Sequence, residues 1–334
     1  MTKIFEIKDK VFKFCAEYDT YLKYAYKFIV AFLLFTVIND SVGFMEKIST
    51  TPVALLLSLI CCLLPQNVTI VMAALLVLLN LYALSLEVAL VAFVIFMLLF
   101  LLYFRFSPQD GMLFILTPIC FKMGIPYVLP IGTGLLRKVY SVSAVVCGTI
   151  AFYFIDGIYQ NITTLSSTVA GEDAGATVKI NVTISQLIAN KEMFLVVGVF
   201  TLSAIMVYVI RRLAIDNAWK IAIISGTLVQ ISGLFAGYLL FNISDKTAGM
   251  IIGNIIAMVL GFVLEFLFMD LDYSRTERVQ FEDDDYYYFV KAVPKKMVTY
   301  SEKTVKHFGE RTELKEDSRK LIAEELDIDE DLLD

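Results

Sequence analysis

Lys122, Gly124 and Pro126 stand in the run FILTPICFKMGIPYVLPIG, Phe114 to Gly132, one of the most apolar regions of the chain. Inside an ordinary helix each proline removes a backbone hydrogen bond and crowds the turn before it, at about 3 kcal/mol. Broken backbone beside an ammonium group can instead hold an anion. The Lys122 charge would act with backbone N–H groups at the start of the second limb, where a helix N-terminus favours negative charge. Thr117 and Thr133 flank this break with hydroxyls. A second break, Pro65-Gln66-Asn67 followed by Thr69, interrupts the apolar region 51–80. The substrate-binding residues predicted on this chemistry are Lys122, Thr117, Gly124, Pro126, Gln66 and Asn67. Each has a plainer role available: the hydroxyls and amides can satisfy backbone groups freed by the prolines, and Lys122 can snorkel to a membrane face.

Glu265, in GFVLEFLFMD, is an intramembrane carboxylate about one turn before the end of its apolar run, and it is predicted to serve ion coupling, for instance of protons. Asp156 and Glu87 lie near the ends of their runs and are read as solvated. Gln230 and Asn254 fall inside two late runs and are expected to hydrogen-bond one another across helices.

These residues need elements to carry them, and composition names the solvent. With 58% hydrophobic and 19% charged residues, the 334-residue chain is expected to be a multi-pass membrane protein. Crossing roughly 30 Å of hydrocarbon takes about 20 apolar residues. That length is met at about 24–43, 86–104, 139–159, 193–210, 218–241 and 249–269, and not by 51–80 or 111–136. Lysine and arginine in short loops assign the N-terminal arm, Arg105, Arg137-Lys138, Arg211-Arg212 and Arg275 to Arg278 to the cytoplasm. Arg105 and Arg137 then share a side, so the residues between them cross an even number of times or not at all. Each limb of 111–136 spans only roughly 18–20 Å. A re-entrant hairpin entering from the cytoplasm satisfies both constraints. The 51–80 region is either a hairpin from the opposite face or a short span followed by a full one. If both regions are hairpins, 51–104 and 111–159 form two units of opposite orientation, the plan of many secondary transporters.

The fold class predicted is therefore an all-α polytopic membrane protein with about six full spans and one or two re-entrant hairpins (51–80, 111–136). It has a cytoplasmic N-terminal arm (1–23), a transmembrane domain (24–269) and an acidic cytoplasmic tail (270–334). Val279 and Phe281, then Tyr286 to Val293, predict a small β-hairpin in that tail. SRKLIAEELDIDEDLLD predicts a short helix with Leu321, Ile322 and Leu326 on one side, suited to docking on a protein partner. Gly249, Gly253, Ala257 and Gly261 recur at four-residue spacing, which lets helix backbones approach closely within one chain or between two copies of a homo-oligomer.

Little in the sequence supports catalysis. The one histidine, His307, is in the tail, no GxSxG or P-loop is present, and no enzyme activity is expected. If transport is driven by ATP, a separate ATPase subunit must supply it. The five cysteines lack metal or disulfide spacing, no cofactor or metal is expected, and the formal charge of -6 mostly reflects the tail, implying no nucleic-acid partner.

The segment RTERVQFEDDDYYYFVKAVPKK, with the layout of spans before it, resembles an uncharacterised family of multi-pass proteins of anaerobic Gram-positive bacteria, often labelled permeases. The resemblance implies a protein of the bacterial cell membrane and transfers no substrate or catalytic residue. The function expected is that of a permease or secondary-transporter-like protein. The alternative is a membrane scaffold or adaptor that anchors a complex through its cytoplasmic tail.

Overall fold

A computed structural model describes residues 2–166, 172–213, 215–243, 246–269, 277–283 and 286–292. The chain divides into two compact units, Met1–Lys295 and Lys296–Asp334. The second, with the helix expected around Leu321, Ile322 and Leu326 and with His307, lies outside the described residues.

The helices in chain order are α1 (Thr2–Glu17), α2 (Asp19–Val42), α3 (Thr51–Leu63), α4 (Gln66–Leu84), α5 (Leu86–Phe106), α6 (Gly111–Lys122), α7 (Val128–Leu136), α8 (Val142–Gln160), α9 (Ile162–Ser166), α10 (Glu172–Ile188), α11 (Lys191–Arg211), α12 (Ala218–Phe241) and α13 (Thr247–Phe268). Two strands follow, β1 (Glu277–Glu282) and β2 (Tyr287–Ala292), paired antiparallel with Val279 opposite Val290. The predicted β-hairpin is therefore present.

Among the described residues seven helical stretches are long and apolar enough to cross a membrane: those of α2, α4, α5, α8, α11 (together with most of α10), α12 and α13. Their outward faces carry large apolar side chains such as Leu90, Phe93 and Met97, which in water would be costly and in lipid are at home. The molecule is an all-α integral membrane protein in contact with the bilayer. The seventh stretch, α4, arises from the 51–80 region. Its 19 residues suffice to cross, and α3, of 13, does not. Of the two arrangements open for this region, the structure has the short helix followed by a full-length one. Between Ile48 and Arg105 the chain thus forms three helices, α3, α4 and α5, of which α4 and α5 are of crossing length.

Hydrogen bonds fix which helix ends lie together. Lys8 Nζ donates to Phe266 O at 2.8 Å, tying α1 to the last turn of α13. Arg211 donates to Leu135 O and to Arg137 O, tying α11 to the end of α7. Gln66 donates to Tyr26 Oη at 3.1 Å and meets Met112 Sδ, so the Pro65-Gln66-Asn67 break sits beside the starts of α2 and α6. Lys27 Nζ donates to Leu64 O, satisfying a carbonyl left open where α3 ends. We call this the basic end, since Arg137, Lys138, Arg211 and Arg212 gather there. At the opposite end, Asn80 near the close of α4 accepts from Met45 N and Ser49 Oγ. Asn190 caps α11 by accepting from Met193 N at 3.0 Å, and Asn161 on the turn after α8 donates to Gln186 of α10.

Helices α6 and α7 form a hairpin open at the basic end, packed between α8, α11 and α13. The contacts are backbone-close. A Cβ on Gly148 of α8 would lie 2.6 Å from Thr117 Cβ and 2.9 Å from Phe114 O of α6. At the small-residue stripe of α13, Gly253, Ala257 and Gly261 are buried within the chain, whereas a Cβ on Gly249 would meet nothing within 4 Å. Gln230 and Asn254 do not bond one another. Gln230 donates to Ser203 Oγ at 2.9 Å, and Asn254 donates to Met250 O in its own helix.

Candidate functional site

The α6–α7 turn builds one wall of a cavity. Helix α6 ends in a left-handed residue, Gly124, at φ 75°. Ile125 N donates to Cys120 O at 2.9 Å and Gly124 N to Phe121 O at 3.1 Å, the paired bonds that close a helix when glycine follows its C-cap. Pro126 comes next and cannot continue the helix. Val128 N and Leu129 N then bond back to Ile125 O and Pro126 O. Most amides of the turn bond within it, so its tip is a closed corner more than a cradle of free donors.

Against this corner lies a cavity of about 410 Å³, bordered also by α8, by the first turns of α11 and α13, and by the last turn of α12 before Asn242. Its volume falls within the roughly 300–1000 Å³ of pockets that hold small organic ligands. One side is aromatic. Phe121 stacks on Phe152 at 4.6 Å between centroids and meets Tyr153 edge-on at 5.7 Å, and Phe200 lies 6.1 Å from both Phe121 and Tyr127. Pairs at these separations contribute about 0.5–1.5 kcal/mol beyond simple burial.

The other side is polar. Glu192, in the first turn of α11, sits where a helix N-terminus favours negative charge. It accepts Lys246 Nζ on both oxygens, at 2.9 and 2.8 Å, and Tyr153 Oη at 3.2 Å. Asp156, in the last turns of α8, accepts Gln160 Nε2 at 2.7 Å and has no ion-pair partner among the described residues. Tyr127 and Tyr238 complete the lining. The arrangement can hold a small solute with an apolar body and a polar or charged head. Among the described residues no three His, Cys, Asp or Glu side chains converge as metal ligands.

Of the predicted substrate residues, Gly124 and Pro126 line this cavity. Lys122 is exposed beside the tip and is not part of the lining. Thr117 is buried against α8 and donates to Leu113 O at 2.7 Å. Gln66 and Asn67 are at the basic end, where Asn67 accepts from Tyr103 Oη at 2.8 Å. Glu265 is half-buried in the last turn of α13, also at that end. Sequence reasoning missed Tyr127, Tyr153, Glu192, Tyr238 and Lys246, and set Asp156 aside as solvated. Each sits near the end of a span remote from the arginines. That shared position was the available signal, but it names no neighbours.

Comparison of the chain with protein-family models, with curated proteins and with solved structures finds no match to any of them.

Proposed function

We propose that this protein is a permease of the secondary-transporter type, seated in a bacterial cell membrane with the basic end and both termini in the cytoplasm. The observation that carries the reading is the corner at Gly124 and Pro126, which brings broken backbone into the wall of a polar and aromatic cavity. Irregular backbone at membrane depth is tolerated where it is buried in protein or lines a cavity. The α6–α7 hairpin, whose limbs of 12 and 9 residues are each too short to cross, acts as a re-entrant hairpin that enters from the cytoplasmic face. The cavity faces outward, and transport requires a second state in which the Glu192–Lys246 side closes and the basic end opens. The coupling role assigned to Glu265 places ion entry at that basic end.

The test is thiol labelling in a cysteine-free background. Gly249→Cys lines the cavity at a site with room for a side chain, and Gln66→Cys marks the basic end. In intact cells an impermeant reagent should label Gly249→Cys and spare Gln66→Cys. Labelling of both from the same face would sink the proposal.

A scaffold role remains the second reading, and one observation favours it. On β2, Tyr287 and Phe289 are strongly exposed, Phe289 at 80%, which suits a docking surface for a protein partner. The double change Tyr287→Ser with Phe289→Ser would release that partner if the scaffold is the main function. It would leave solute movement intact if the cavity is.

A further inference from the structure

The chemistry of the cavity is lopsided in a way the sequence did not foretell. Sequence reasoning pointed to an anionic solute held by Lys122, but Lys122 is not in the lining. Of the charged side chains that are, Glu192 and Lys246 neutralise one another through two hydrogen bonds. Among the described residues Asp156 is left with only the amide of Gln160, so the described lining carries one uncompensated negative charge. The same cavity is lined by the rings of Phe121, Phe152, Phe200 and Tyr127, a continuous chain with centroid separations between 4.6 and 6.1 Å, and Phe152 stands one turn before Asp156 on α8. An aromatic face attracts a cation through its quadrupole, and several rings around one space are the arrangement that recognises substituted ammonium groups. A carboxylate beside such a wall adds charge selectivity, because it attracts an ammonium and repels a carboxylate.

We propose, resting on the cavity reading above, that the solute is an organic cation: a substituted ammonium with an apolar body. The ammonium lies near Asp156 and the aromatic wall, the apolar body lies along Phe121 and Phe200, and the Glu192–Lys246 pair bounds the outer side without binding the charge. Tyr153, held by its bond to Glu192, keeps its ring edge-on to Phe121 and so fixes the wall that the solute meets.

The experiment uses the full chain in lipid nanodiscs with Gly249→Cys as the sole thiol, and reads how far a solute slows its labelling. The probes are benzyltrimethylammonium, a cation with an apolar ring, and phenylacetate, an anion of comparable ring size. Benzyltrimethylammonium should protect saturably and phenylacetate should not. Adding Asp156→Asn should weaken that protection at least tenfold, Asp156→Glu should restore part of it, and Lys246→Gln, which uncovers the Glu192 carboxylate in the lining, should strengthen it. Thermal midpoints of the variants establish that each is folded; if Asp156→Asn fails to fold, the Asp156→Glu variant and the probe pair still decide. Protection by phenylacetate alone, protection by neither probe, or protection indifferent to Asp156 overturns the cation assignment. In any of these cases the intact-cell labelling above separates the two readings: should the impermeant reagent still reach Gly249→Cys from outside, the cavity reading survives and the charge class alone falls. If it is labelled from the basic end, the cavity reading falls with it.

Discussion

Gly253 of α13 packs directly against Tyr127: a Cβ on Gly253 would lie 2.5 Å from the ring, and 3.4 Å from the carbonyl oxygen of Gly124. Helix α13 thus meets the hairpin tip through the bare backbone of Gly253, with the Tyr127 ring laid directly on it. Gly253→Ala should force the ring aside and destabilise the protein by about 1–3 kcal/mol, the usual range for overpacking. Gly249→Ala, one turn away, meets nothing within 4 Å and should be neutral or stabilising by about 0.5–1 kcal/mol, since alanine loses less backbone entropy in a helix. Thermal unfolding of the two variants checks the pair. Equal midpoints would mean that the tip does not dock on α13.

A harder obstacle stands behind Gly148, whose added Cβ would meet Phe114 O, a backbone atom that cannot rotate away. Gly148→Ala should therefore cost at least as much as Gly253→Ala and lower the yield of folded protein. Thr117→Ala should cost only about 0–1 kcal/mol, because its hydroxyl bonds within its own helix. A Thr117→Ala variant that folds normally but no longer binds solute would restore Thr117 to the substrate site.

At the basic end Arg137 Nε lies 3.5 Å from Asp110 Oδ1, whose side chain is only 4% exposed. The pair joins the residue before α6 to the residue after α7, and so holds the two open ends of the hairpin together. Arg137→Ala should destabilise, and it should do so less in an Asp110→Asn background, with a coupling of roughly 0.5–3 kcal/mol. A double-mutant cycle on unfolding free energies measures this. Additive effects would mean that the ends are held by other contacts.

The left-handed turn at Gly124 makes its own demand. Gly124→Ala should cost about 1–2 kcal/mol for the backbone conformation alone, as no neighbour lies within 4 Å of the new atom. Asparagine adopts this conformation more readily, so Gly124→Asn should be milder. If the alanine variant is as stable as the native chain, the tip does not hold this geometry.

The parts of the fold that follow from one-dimensional rules were legible. Lipid demands long apolar runs, and six of the seven full-length stretches stood out for that reason. The prolines and Gly124 marked the α6–α7 turn, because a helix that ends on glycine and proline must stop. The Pro65-Gln66-Asn67 break was ambiguous on the same ground: the sequence shows that a helix stops there, not whether the next is short or long. The cavity was mostly illegible because Tyr127, Asp156, Glu192, Tyr238 and Lys246 converge from four separate parts of the chain. Asp156 near a span end looks the same whether water or an aromatic wall faces it. Lys122 misled for the opposite reason, since its place beside the break suggested a direction that its exposed side chain does not take.

Helix α3 has 13 residues, about 20 Å of helix, against the roughly 30 Å of a typical hydrocarbon core. Its outer side presents Leu55, Leu56, Leu59, Ile60 and Leu63. Lipid in contact with it meets an apolar strip about 10 Å too short. A short apolar strip is met by local thinning of the bilayer, by snorkelling of flanking side chains or by association with another helix, each at a fraction of a kcal/mol for each ångström of mismatch. The helices it packs against, α2 and α4, are of full length and impose no such mismatch. The mismatch is therefore asymmetric, confined to one flank, which makes acyl-chain length a variable of the protein's stability and favours thinner membrane, or a partner able to cover it, on that flank alone.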